Sequence, residues 1–251
     1  MLLSDILLLV VAGFAAGLLN AVAGGGTFLS LPALIYVGIP PVSANATATL
    51  TALPGYVSSA WGFRKDMRRE GALSLRAIAA VGTLGAGLGA VLLIVTPGDI
   101  FLGVVPWLLL LATGMFAFGP KLLAALRKGG AGGIGAGGSA LAILLVSLYG
   151  GYFNGGLGIM LLATLGFIGH SNLHGMNGLK NVLSAVVSLV SALTFVTAGL
   201  IAWNAAIVMA VSGALGGYVG AVASRRITRT DILRHVITGI GLIMAAVFFV
   251  G

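Results

Sequence analysis

Residues 20–28 read NAVAGGGTF, and they interrupt an apolar stretch that resumes at once on the far side. Glycine costs roughly 1 kcal/mol relative to alanine inside a helix, so Gly24, Gly25 and Gly26 mark a helix break within an oily environment. A chain that breaks and restarts there leaves backbone N–H groups unpaired at the start of the next helix. Those donors, with the positive end of the helix dipole, favour an anion without any charged side chain. The segment after the break is short: Thr27 to Gly38 is twelve residues, or ~18 Å at 1.5 Å per residue. That is well under the ~30 Å of a bilayer's hydrocarbon core, so the following chain is expected to turn while still inside the membrane.

The rest of the composition agrees with such an environment. Of the 251 residues, 59% are hydrophobic and 7% charged, with a mean hydropathy of +1.15, whereas soluble domains carry about 25% charged residues. Lipid offers no hydrogen-bond partners, so spanning elements are helices or a closed barrel. Barrel strands alternate apolar and polar residues, but runs such as AILLVSLYGGYF (142–153) are continuous. The fold class is therefore all-α, a polytopic membrane protein with the lipid bilayer as its surroundings. No cysteine is present, which removes disulfides, thiolate ligands and a cysteine nucleophile. MLLSD lacks the basic n-region of a signal peptide, so the first segment is expected to be a retained helix.

Ten apolar segments fall near 5–22, 27–38, 44–63, 74–95, 99–118, 139–155, 158–169, 176–200, 204–223 and 235–251. A first repeat over 1–120 and a second over 139–251 flank a glycine-rich linker (121–138), and RKGGAGGIGAGGS (127–139) divides the segments five and five. Shifting by 132 places Gly24 on Gly156, Gly26 on Gly158, Asn45 on Asn177 and Phe63 on Phe195; shifting by 131 places Gly82, Gly85 and Gly89 on Gly213, Gly216 and Gly220. Twelve of the thirteen basic residues lie in three connections: Arg64, Lys65, Arg68, Arg69 and Arg76; Lys121, Arg127 and Lys128; Arg225, Arg226, Arg229 and Arg234. This is the positive-inside pattern of cytoplasmic loops, not a nucleic-acid surface. The first half's basic loop follows its third segment, and the counterpart FVTAGLIAWNA (195–205) has no basic residue. The second half's basic loop follows its fourth segment, and the counterpart LIVTPGDIFLG (93–103) has none either. Equivalent loops therefore fall on opposite sides, with both termini outside. Inverted-topology repeats of this kind belong to secondary transporters. Either all ten segments span, or each half combines three crossing helices with a re-entrant hairpin.

At these same residues the chain resembles a known family. GFAAGLLNAVAGGGTFLSLPALIYVGIPPVSANATATL (13–50) resembles the N-terminal signature of the TauE/SafE family, and GGYFNGGLGIMLLATLGFIGHSNLHGMNGLKNVLSAVVSLVSALTFVTAGLIAW (150–203) is similar to its second-half signature. The resemblance covers nearly the whole chain apart from the linker. It implies a bacterial inner-membrane exporter of small sulfur-containing anions, either sulfite or C2 sulfonates such as sulfoacetate.

The residues themselves give a candidate site for such an anion. Gly24, Gly25, Gly26 and Thr27 supply a helix start in one half, and Gly155, Gly156 and Gly158 one in the other, flanked by Asn20 and Asn154. Against this stands the use of small residues for close helix packing; recurrence in both halves beside an asparagine favours the site. Asn177, Lys180, Asn181, Ser184, Ser188 and Ser191 share one helical face, and Asn45, Thr49, Tyr56 and Ser59 the equivalent one. Lys180 is the sharpest candidate, because an intramembrane charge faces a cavity or partner and no Asp or Glu lies inside any apolar segment. The competing reading has it snorkelling to the surface. His170 and His174, four apart in HSNLHG, have ligand spacing but no nearby carboxylate or cysteine, so no metal or other cofactor is expected. The glycine series Gly82, Gly85, Gly89 and Gly213, Gly216, Gly220 serves tight packing, within the monomer or on a homodimer face.

Two other function classes compete with an exporter driven by an ion gradient, a partner or the substrate's own gradient. A cation or metal permease predicts acidic ligands inside helices, and Asp5 and Asp99 lie only at segment ends. An intramembrane enzyme needs a nucleophile–base pair or a metal set, and neither HExxH nor paired carboxylates occur. The expectation is a transporter, not an enzyme.

Overall fold

The computed structural model describes residues 2–22, 24–62, 64, 67, 70–128, 135–224 and 230–250. Among these are ten helices and no strand: α1 (Leu3–Val22), α2 (Thr27–Tyr36), α3 (Pro41–Gly62), α4 (Leu75–Val95), α5 (Gly98–Lys128), α6 (Ala136–Tyr152), α7 (Leu157–Phe167), α8 (Leu173–Thr197), α9 (Trp203–Ser224) and α10 (Thr230–Val250). The all-α expectation holds. Five helices, within α1, α4, α5, α8 and α9, are long and apolar enough to cross a membrane, and the chain is a multi-pass membrane protein.

The short second segments are as the sequence predicts. With 10 and 11 residues, α2 and α7 reach ~15–17 Å, about half a hydrocarbon core. Each is bounded by glycines in the left-handed region: Gly24 (φ 81°) and Gly38 (φ 86°) around α2, Gly156 (φ 71°) and Gly169 (φ 100°) around α7. A Cβ is disfavoured there, so glycine fixes where each short helix starts and stops. The stretch read as a linker is partly helical. KLLAALRK (121–128) continues α5 to Lys128 because Leu, Ala, Lys and Arg are strong helix formers. Residues 129–134, and with them the core of that linker, lie outside the described residues, as do Phe63, Lys65, Arg68, Arg69, Arg225, Arg226 and Arg229.

The packing has a two-fold character. α1 packs on α9 as α6 packs on α4; α3 meets α9 as α8 meets α4; and α3 lies against α8 itself, with α5 against α10. Exchanging each helix for the one five places along leaves these neighbour relations unchanged. α3 and α8 run antiparallel: the Ala202 N–H donates to Thr47 Oγ1 (3.0 Å) near the start of α3 and just beyond α8, while past the end of α3 Glu70 accepts from Ser171 N–H (2.7 Å) just before α8.

The glycine series is consumed inside the chain. A Cβ on Gly85 would stand 2.5 Å from the Leu144 carbonyl oxygen, and one on Gly220 would stand 2.8 Å from that of Leu18; Gly17 and Gly213 meet backbone to backbone. Of the two uses expected of these glycines, the structure shows the interior one: close backbone approach between α4 and α6 and between α1 and α9.

Candidate functional site

The two chain breaks meet. A Cβ built on Gly24 would lie 3.0 Å from Gly158 Cα, and one on Gly158 would lie 3.1 Å from Gly24 Cα and 3.5 Å from Lys180 Cδ. The start of α7 thus rests on the first break, with the aliphatic stem of Lys180 alongside. Only glycine allows this approach.

Lys180 is buried, at 1% exposure, and does not snorkel to a surface. No ion pair or hydrogen bond to its ammonium occurs among the described residues. On α3 and α8 the side chains of Asn45, Asn181, Ser184, Ser188 and Ser191 are also fully buried. Both side-chain polar atoms of Asn181, the oxygen of Asn45 and the hydroxyls of Ser184, Ser191, Tyr56 and Ser59 have no partner. A buried polar group left unpaired costs about 1–3 kcal/mol, so each of these calls for a partner that the neighbouring side chains do not supply.

Other residues of the predicted site have structural work to do. Asn20 lies in the last turn of α1, and its Oδ1 accepts the Gly26 N–H at 2.8 Å. Asn45 donates from Nδ2 to the Tyr152 carbonyl at 2.8 Å, closing the last turn of α6. Thr49 bonds back to the Asn45 carbonyl at 2.9 Å on its own helix, and Asn177 is only half-buried. Asn154 is the one non-glycine residue with positive φ (61°) among the described residues; its Nδ2 donates to Ser188 Oγ at 2.9 Å, pinning the second break to α8. Asn20 and Asn154 are not counterparts: the 132-residue shift aligns Asn20 with Tyr152. Gly25, Gly26 and Thr27 are buried at the first break, and Gly155 and Gly156 at the second.

Backbone donors stand open at each break. At the first break the Gly26 N–H is taken by Asn20. At the second, no acceptor for the N–H groups of Gly155, Gly156 or Gly158 occurs among the described residues. Open N–H groups therefore occur at both breaks, since those of Gly25 and Thr27 likewise have no acceptor among the described residues, and the buried ammonium belongs to the second half alone.

Sequence reasoning passed over two residues. Tyr149 donates to the Gly155 carbonyl at 2.6 Å; a phenol embedded in an apolar run six residues before that glycine was the available signal. Glu70, an acid in a basic connection, accepts from Ser171 N–H (2.7 Å) and Asn172 N–H (3.3 Å), capping the start of α8 from outside. The Ser171 N–H holds the Glu70 carboxyl below its ordinary value, against a smaller upward push from burial. His170 Nδ1 lies 3.8 Å from the same carboxylate, and burial keeps the imidazole pKa low despite that charge. The i, i+4 spacing of His170 and His174 does not place them on one helix. His170 precedes α8 and His174 is in its first turn, with a side chain outside the described residues. Gly169 (φ 100°) ends α7 just before His170, so the chain turns there rather than continuing as helix.

Comparison with known proteins identifies the family of the chain. The profile of the family described as "Sulfite exporter TauE/SafE" matches residues 9–248. A "Probable membrane transporter protein" of Haemophilus influenzae is 33% identical over 221 residues, covering 83% of this chain and 81% of its own length. "Probable membrane transporter protein YfcA" of Escherichia coli is 28% identical over 206 residues (82% and 75%). A "Probable membrane transporter protein" of Xylella fastidiosa is 27% identical over 257 residues (95% and 90%).

Proposed function

The chain belongs to the TauE/SafE family of membrane transporters, and from that premise we propose that it exports a small sulfur oxyanion, sulfite or a C2 sulfonate such as sulfoacetate, across the bacterial plasma membrane. The observation that carries this reading is Lys180, a buried ammonium with no protein counter-charge among the described residues. An anion is the natural partner of such a group, and a cation is repelled by it. The open N–H groups of Gly155, Gly156 and Gly158 and the unpaired hydroxyls of α8 are suited to the tetrahedral or pyramidal oxygens of a sulfur oxyanion.

The two halves act as inverted repeats that rock about this site, giving alternating access. The exchange of neighbour relations and the antiparallel α3 and α8 support that reading. The basic connections, by the positive-inside rule, face the cytoplasm and both termini face outwards.

Purified protein in liposomes tests the proposal. Lys180→Gln is expected to weaken sulfite or sulfoacetate binding about 30-fold or more, as loss of one partner of a desolvated charge pair does. Unchanged binding and flux in that variant would remove the site.

A further inference from the structure

A side chain of α6 holds the backbone of the second break. Tyr149 sits on α6, and its hydroxyl donates to the Gly155 carbonyl at 2.6 Å; the Leu108 carbonyl, at 3.5 Å, is too far to compete for its single proton. Its ring is held edge-on to Phe153, with centroids 6.1 Å apart and planes at 72°, and Phe153 is fully buried. Residue 155 must be glycine, because a Cβ there would collide with the Phe153 ring. The peptide between Gly155 and Gly156 is trans. In a planar trans peptide the C=O of one residue and the N–H of the next point in opposite directions. Anchoring the Gly155 oxygen on α6 therefore turns the Gly156 N–H away from α6.

We propose that Tyr149 is the positioning residue of the anion site: by fixing the Gly155 carbonyl it aims the Gly156 N–H at a sulfonate or sulfite oxygen. This rests on the site proposed above and deepens it, since it assigns a donor whose direction depends on a side chain that never touches the substrate. The device belongs to one half only. The 132-residue shift aligns Tyr149 with Gly17, which is pressed against the Gly213 backbone and leaves no room for a side chain. A phenol binds its proton too firmly to lose it near neutral pH, so the anchor holds through the range in which sulfite changes charge.

The test compares Tyr149→Phe, Phe153→Leu and Lys180→Gln, each as the folded, monodisperse fraction of the full chain, with sulfite and sulfoacetate as ligands. Tyr149→Phe is expected to raise Kd and the KM for flux about tenfold while Vmax changes less than twofold. Phe153→Leu, which frees the ring but keeps the hydroxyl, is expected to raise them about threefold. A merely structural tyrosine would lower the yield or unfolding temperature and leave the Kd of the folded fraction where it was. If Lys180→Gln weakens binding and Tyr149→Phe does not, the positioning role is wrong and the site stands. If Lys180→Gln has no effect, the site itself is wrong and the role of Tyr149 goes with it.

Discussion

At the break between α1 and α2, a side-chain oxygen from the last turn of α1 reaches forward and takes the Gly26 N–H; at the break between α6 and α7, a hydroxyl from α6 reaches forward and takes the Gly155 carbonyl. The first arrangement uses up a donor. The second uses up an acceptor. The same contrast holds on the third helix of each half, where the 132-residue shift sets Ala48 on α3 opposite Lys180 on α8. The break at Gly24 packs on Gly158, with the Lys180 stem alongside. The two breaks share a left-handed glycine at the aligned positions 24 and 156 and differ in the side chains that hold them.

The comparison is most easily broken where the two breaks touch. Gly158→Leu would force apart Gly24 and the Lys180 stem, so flux into liposomes is expected to fall by about two orders of magnitude, the scale of a displaced binding group. Retention of most of the flux would show that the breaks work independently. Next comes Asn154, whose positive φ costs most side chains about 1–2 kcal/mol. Asn154→Gly should be better tolerated than Asn154→Ala in unfolding experiments, because both lose the Ser188 bond and only glycine takes the left-handed backbone without strain; the reverse order would show that the backbone there relaxes.

Asn20→Leu sharpens the contrast from the other side. It strands the Gly26 N–H and should destabilise the fold by about 1–3 kcal/mol, while sulfoacetate affinity stays within threefold. A large loss of affinity would return Asn20 to the binding site. The smallest effect is expected at Glu70, which ties the connection after α3 to the start of α8. Its carboxyl pKa is depressed below 4.5, so its contribution is complete above that value and is lost as pH falls through the lower, folded one. The unfolding temperature of Glu70→Gln should therefore lie slightly below that of the parent protein at neutral pH and converge with it in acid.

Much of this was legible in the chain. Continuous apolar runs gave the all-helical membrane fold, because a bilayer admits few alternatives. The paired glycines gave the two short helices, because left-handed backbone selects for glycine regardless of context. The lone intramembrane lysine gave the candidate site, because a charge there needs a reason. The continuation of α5 through KLLAALRK was less legible, since charge and nearby glycines there masked good helix propensity.

The sequence by itself determined which residues were unusual for their surroundings: glycines in a helix, polar side chains in oil, a charge without a partner. Those are local mismatches, and each has a local energetic cost that composition reveals. Only the tertiary structure decided which of them face one another and which are already satisfied. It brought Gly24 onto Gly158, spent Asn20 on Gly26 and Asn45 on Tyr152, and set Tyr149 against Gly155. A hydrogen bond forms within about 3 Å and in one direction, and neither the distance nor the direction between residues far apart in sequence is written in their order along the chain.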